Sequence, residues 1–238
     1  MLTRRHFVIT SATLFSGPIA SPLLAQETPT PEVTPEPVAP APAAPVKVKR
    51  RPVSNSAMWN SYDARVMPAN YDPATSNPWG LKPRLLPRVV HANDGLKPGD
   101  IHVDAVARYL YHIRDDGTAM RYGVAIGRSG LYEPGTYTVG RKTKWPTWTP
   151  TKDMIEREPH KYKKYEDGMD GGPSNPLGSR ALYLYEGRRD TYLRIHGSPQ
   201  PRSIGSRASS GCVRMVMAHI IGLYDQVETG VTAHLYPA

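Results

Sequence analysis

Arg108-Tyr109-Leu110-Tyr111-His112-Ile113-Arg114, then Asp115-Asp116-Gly117, then Met120-Arg121-Tyr122-Gly123-Val124-Ala125-Ile126 is the stretch that decides the fold. Two short runs rich in Val, Ile and Tyr flank turn residues, and the glycine among them tolerates the positive φ of a hairpin loop. Asp100 to Asp104 upstream, and Gly135 to Val139, Arg180 to Tyr185, Thr191 to Ile195 and Val231 to Tyr236 downstream, have the same character. Gly187-Arg188-Arg189-Asp190 turns the chain between two of them. Many short strands with such punctuation predict a mainly β fold, a sandwich or barrel rather than a doubly wound sheet.

Two short helices join them. Thr149-Pro150 offers an N-cap followed by proline at the first helical position, leading into Thr151 to Glu158, with Pro159 as the stop. Met217, Ile220, Ile221, Tyr224 and Val227 recur at helical spacing before Gly230 and form one apolar stripe, which reads as core packing. This helix is expected to begin just after Cys212, putting the thiol near a helix N-terminus, where partial positive charge lowers a thiol pKa.

The N-terminal part has a different composition. Met1 to Ala25 reads as a signal peptide: a basic start, an apolar stretch from Phe7 to Ala20, then small residues. It is too short and too broken to span a membrane permanently. Thr3-Arg4-Arg5-His6-Phe7-Val8-Ile9 looks like a twin-arginine motif, an ordinary Sec signal being the alternative, and either implies export. Gln26 to Pro52, dominated by Pro, Ala, Val and Thr, reads as a semi-stiff disordered spacer. Residues 53–98 carry anchors at Trp59, Tyr62, Tyr71 and Trp79, but Pro and Asn interrupt every possible helix or strand. They are expected to form an irregular segment packed on the domain that occupies 99–238.

The formal charge is +9, and six Lys/Arg against three Asp/Glu fall within Met1 to Pro52. The moderate excess that remains suits anionic surroundings such as wall polymers, or plain solubility. The basic residues are scattered and no nucleic-acid-binding signature accompanies them, so nucleic acid is not expected as a partner. Cys212 is the one cysteine, which excludes an intramolecular disulfide and any multi-thiolate metal site. A thiol retained in an exported protein is either buried or used. His91, His102, His112, His160, His219 and His234 show no metal-ligand spacing, so neither metal nor cofactor is expected.

Chemistry concentrates in Ile195-His196-Gly197-Ser198-Pro199 and Ala208-Ser209-Ser210-Gly211-Cys212-Val213-Arg214-Met215. A nucleophilic cysteine needs a base and a site for the anion that forms. His196 ends a predicted strand, and a small-residue loop could fold Cys212 back beside it. Ser209-Ser210-Gly211 add little bulk, so main-chain N–H groups of Gly211 and Cys212 could serve a substrate carbonyl as an oxyanion hole. Arg214 has a donor fork suited to a carboxylate. The residues alone leave open a buried structural thiol with an unrelated surface histidine.

This stretch resembles the signature of the L,D-transpeptidase (YkuD-type) catalytic domain, a His-Gly-Thr-like element followed by Ser-His-Gly-Cys-Val/Ile-Arg/Asn. His196, Gly197, Ser209, Gly211, Cys212, Val213 and Arg214 fall on it. Gly135 to Gly140, Trp145 to Pro150 and Gly172 to Gly178 extend the likeness, so that it covers about Gly99 to Tyr236. Two positions depart: Ser198 stands for a frequent threonine, and Ser210 for a histidine that often precedes Gly-Cys. The resemblance implies a β-sandwich of short strands with one or two short helices, located in the periplasm or cell envelope. It implies a cysteine acyltransferase acting on peptidoglycan stem peptides. Cys212 would attack the carbonyl of the third residue, D-alanine would leave, and an amine would resolve the thioester into a cross-link that serves cell shape. His196 would be the base, oriented by the Gly197 carbonyl, with Ser210 and Gly211 beside the nucleophile and Arg214, Ser209, Trp145 and Trp148 on the substrate side. Resolution by water, making a carboxypeptidase or amidase, and transfer to an outer-membrane protein are the alternatives.

Overall fold

The computed structural model describes residues 56–238. The expectations for 1–25 and 26–52 lie outside the described residues. Among the described residues eleven strands follow one another: β1 (Arg88–His91), β2 (Ile101–Asp104), β3 (Tyr109–Ile113), β4 (Thr118–Gly123), β5 (Ile126–Gly127), β6 (Gly135–Lys144), β7 (Arg180–Glu186), β8 (Arg189–Ser198), β9 (Arg207–Ser209), β10 (Val213–Val216) and β11 (Thr232–Leu235). Four short helices accompany them: α1 (Ser56–Val66), α2 (Lys152–Arg157), α3 (Pro159–Tyr162) and α4 (Met217–Gln226). The protein is mainly β, as the turn-punctuated runs predict.

Nine strands form one mixed sheet in the order β1-β4-β3-β2-β11-β6-β7-β8-β10, and β5 pairs with β9 in a two-stranded sheet. The hairpin around Gly117 forms as expected, with β3 antiparallel to β4 and the glycine at φ +74°. Every strand of the large sheet except β1 contributes to one buried cluster, from Ile101 and Leu110 at one end to Ile195, Val213 and Met215 at the other. At about 4.8 Å per strand, a flat sheet of this width could not gather those side chains, so the sheet curls around them. Ile220 and Leu223 of α4 close the cluster, which makes the apolar stripe core, as its spacing predicts.

Four features depart from the expectations. Residues 56–66 form α1, although none of its side chains is buried and its apolar residues make no stripe. A polar contact fixes it: Asp63 accepts from Arg180 at 2.8 and 2.7 Å and from the Trp145 indole at 3.1 Å. The four-residue β1 also lies in the segment expected to be irregular. Thr151, not Thr149, caps α2 by accepting the Met154 N–H, and Pro159 both ends α2 and begins α3. Most consequentially, β10 stands between Cys212 and α4. The thiol therefore precedes a strand, and the helix N-terminus expected beside it begins only at Met217.

Candidate active site

The site is built on the parallel pair β8 and β10. Arg214 lies opposite His196 and Val213 opposite Ile195, so the register continued one step sets Cys212 beside Arg194. Side chains alternate along a strand, which puts Cys212, Arg214, Arg194 and His196 on one face. Diagonal neighbours on adjacent strands are separated by about 8 Å between Cα atoms, a span that an imidazole and a thiol can bridge between them. The fifteen residues between His196 and Cys212 comprise the end of β8, the turn after it, β9, and Ser210-Gly211.

His196 lies inside β8 and is buried. Its Nδ1 is 2.6 Å from the Gly197 carbonyl oxygen, a contact made when Nδ1 carries the proton and donates. That tautomer leaves Nε2 unprotonated, as a base requires. Gly178, at φ +63°, packs against this carbonyl, where a Cβ would come within 2.7 Å of the Gly197 carbonyl carbon. Burial, then the Arg214 charge, lowers the His196 pKa to about 3, against the carbonyls of Gly197 and Leu177, which favour the protonated ring.

Cys212 is half-buried, and its thiol lies 3.7 Å from the Tyr192 carbonyl oxygen. Burial pushes the thiol pKa up, and the Glu133 carboxylate adds to the rise. The Arg194 N–H and the charges of Arg194 and Arg214 pull the other way. Both shifts favour the uncharged form of their group, in place of the depressed thiol pKa expected from a helix terminus.

The turn that presents the thiol is tied from within. Buried Ser209 donates its hydroxyl to the Cys212 carbonyl at 2.5 Å and accepts the Gly211 N–H at 3.3 Å. Gly211 takes φ +132°, where a Cβ would lie 3.1 Å from the Leu131 carbonyl oxygen, so only glycine fits without strain. In this state the Gly211 N–H is engaged by Ser209 rather than pointed at a vacant oxyanion position. Ser210 sits outward, its hydroxyl 3.4 Å from the Tyr162 hydroxyl. Arg214 reaches Gln200 at 3.4 Å.

The two tryptophans separate. Trp148 lines a groove of about 270 Å³ with Tyr162, Tyr165 and Met169, and Tyr162 links that groove to Ser210. Trp145 is 2% exposed, packs edge-on to Tyr62 and donates its indole N–H to Asp63. It has no surface to offer a substrate, which corrects the expectation that it lines the cleft.

Sequence reasoning missed Arg194 and Tyr192. Arg194 is held by both carboxylate oxygens of Asp190 at 2.7 and 2.9 Å and stacks 4.0 Å from the Tyr183 ring centre, with Arg141 at 3.6 Å from the same centre. Tyr192 takes φ +61° where the β7–β8 register shifts, and this irregularity turns its carbonyl toward the thiol. The Asp190-x-x-x-Arg194 spacing was the available signal, masked because Asp190 reads as a turn residue.

A family model described as the L,D-transpeptidase catalytic domain (YkuD) matches residues 98–235. The chain belongs to this family. It is 30% identical over 152 residues to the probable L,D-transpeptidase ErfK/SrfK of Escherichia coli strain K12, an alignment covering 63% of this chain and 47% of that protein. It is 31% identical over 169 residues to the probable L,D-transpeptidase YbiS of the same strain, covering 70% and 54%. The chain spans about half the length of these curated relatives. A solved structure described as a probable carnitine operon oxidoreductase caia from Brucella melitensis is 50% identical, covering 62% of this chain and 91% of that one, with a TM-score of 0.46. No helix among the described residues is long and apolar enough to cross a membrane.

Proposed function

We propose that this protein is a peptidoglycan L,D-transpeptidase with Cys212 as nucleophile and His196 as proton carrier. The observation that carries the reading is the β8–β10 register, which sets His196 and Cys212 on one face with Nδ1 occupied by the Gly197 carbonyl. The free Nε2 takes the thiol proton as sulfur bonds to the carbonyl carbon of the third stem residue. The amide C–N bond breaks, and the same proton passes to the departing D-alanine nitrogen. An acceptor amine then bonds to the thioester carbon, the C–S bond breaks, and His196 carries the amine proton back to sulfur. Main-chain N–H groups near Cys212 bind the developing oxyanion, which requires Gly211 to release Ser209 in the transition state. Arg214 holds a substrate carboxylate, and the Trp148–Tyr162 groove takes part of the stem. This reading keeps 99–238 as the catalytic unit and places it in the bacterial envelope after export through the signal expected at Met1 to Ala25.

The test is incubation with purified peptidoglycan followed by separation of the muropeptides. New dimers cross-linked between third residues are expected, and none with Cys212→Ala. Trimmed monomers alone would assign the thioester to water and make the protein a hydrolase. A carbapenem should add one acyl mass to the wild type and none to Cys212→Ala.

A further inference from the structure

Away from the thiol, a groove of about 450 Å³ opens between the segment leading into β1 and the connection from β8 to β9. Trp79 and Leu85 supply apolar wall, and Lys82, Arg84 and Arg202 supply charge, with Ser206 beside them. No carboxylate lines it. Arg84 is steered by weak bonds, both 3.4 Å, to the Ala107 carbonyl and the Tyr109 hydroxyl, and Arg121 stacks 4.3 Å from the same tyrosine ring. Arg108 feels both Arg84 and Arg207, whose charges, after burial, lower its pKa, while the Asp104 carboxylate acts against them.

Among the described residues, Lys82, Arg84 and Arg202 form no ion pair with a carboxylate, as is true of most arginines of the domain, but these three share one concave wall. Like charges left together repel, and a concave wall concentrates their potential on whatever enters. A single carboxylate would leave most of this charge uncompensated. A group bearing two or more negative charges on closely spaced oxygens matches it, with guanidinium forks to the oxygens and a lysine as point charge.

We propose that the groove between Trp79 and Arg202 is a binding site for a phosphate-bearing ligand, separate from the acyl-transfer centre and independent of the function proposed for it. The phosphate contacts Lys82, Arg84 and Arg202, and Trp79 packs against the adjoining carbon skeleton. A ligand seated there joins the segment before β1 to the connection that follows the strand of His196. Phospholipid headgroups and soluble phosphate esters share this chemistry.

The test uses the full-length chain at low ionic strength, with inorganic pyrophosphate as probe in calorimetric titration. Saturable binding is expected, weakened at least tenfold in Arg84→Gln/Arg202→Gln and unchanged in Lys97→Gln/Arg157→Gln, which removes the same charge elsewhere. All four positions are exposed, and circular dichroism verifies that each variant is folded. Flotation with phosphatidylglycerol vesicles, set against phosphatidylcholine vesicles, separates the sources. Vesicle binding displaced by pyrophosphate supports the lipid headgroup, and pyrophosphate binding without vesicle binding supports a soluble ester. Absence of saturable binding, equal loss in the control double variant, or citrate binding as tightly as pyrophosphate would overturn the proposal.

Discussion

Replacing His219 with leucine should remove a large part of the protein's sensitivity to mild acid. His219 is 2% exposed on α4, enclosed by Tyr71, Trp79 and Tyr122, and neither ring nitrogen has a hydrogen-bond partner. Burial lowers its pKa from 6.5 to about 3. Between those values the unfolded chain binds a proton that the folded chain refuses, so stability present above pH 6.5 is lost as pH falls. At pH 5 this single site costs about 2 kcal/mol, and at pH 7.5 almost nothing. Whatever leucine gains or loses in packing is the same at both pH values and cancels when they are compared. Urea unfolding of both proteins at pH 7.5 and pH 5 should show the variant gaining about 2 kcal/mol on the wild type over that interval, about 30-fold in the folding equilibrium. An unchanged difference between the two proteins would mean that the ring takes up its proton in the folded state, and the buried neutral imidazole would have to be abandoned.

Three further outcomes follow from the site and its supports. Alkylation of Cys212 by iodoacetamide, followed by mass spectrometry, should accelerate with pH with a midpoint above the ordinary thiol value, and Arg194→Gln should move that midpoint higher; a plateau reached by pH 6 would indicate a resting thiolate and contradict the raised thiol pKa. Asp63→Ala strips Arg180, whose side chain is 3% exposed, of both its carboxylate bonds. It should cost about 3 kcal/mol in urea unfolding, and Arg180→Leu in the same chain should recover part of the loss. Gly211→Ala, forced to hold φ +132° against the Leu131 carbonyl, should form the carbapenem adduct at least tenfold more slowly with its circular dichroism intact, and an unaltered rate would show that the turn tolerates a side chain.

The elements visible in the sequence were those with one buried face and a turn beside them. Tyr109 to Ile113 and Thr118 to Gly123 alternate toward the core and flank a glycine that needs positive φ. Val213 to Val216 is short, largely buried and continuous with an apolar helix, so composition could not separate strand from helix start. That merger produced the misplaced helix terminus at Cys212. Ser56 to Val66 has no fully buried residue and is held by Tyr62 packing edge-on to Trp145 and by one carboxylate reaching an arginine 117 positions away, which no local pattern encodes. The candidate Cys–His pair was legible only through the resemblance to the L,D-transpeptidase signature, since the residues alone left a buried structural thiol open. The parallel register that unites them was not, because it depends on the crossover between β8 and β10. The tryptophans diverged for a similar reason: Trp145 and Trp148 sit three positions apart, and the approach of distant Tyr62, Asp63 and Gly171 encloses only the first.

A sulfur that rests protonated has a further use. Peroxides and disulfides react with the thiolate, so a thiol that rests protonated is a poor target for both. The burial that makes Cys212 a reluctant acid also lowers its reactivity toward sulfenic acid and mixed-disulfide formation. For a chain with one cysteine and no second thiol to resolve such damage, durability and reactivity are set by the same burial.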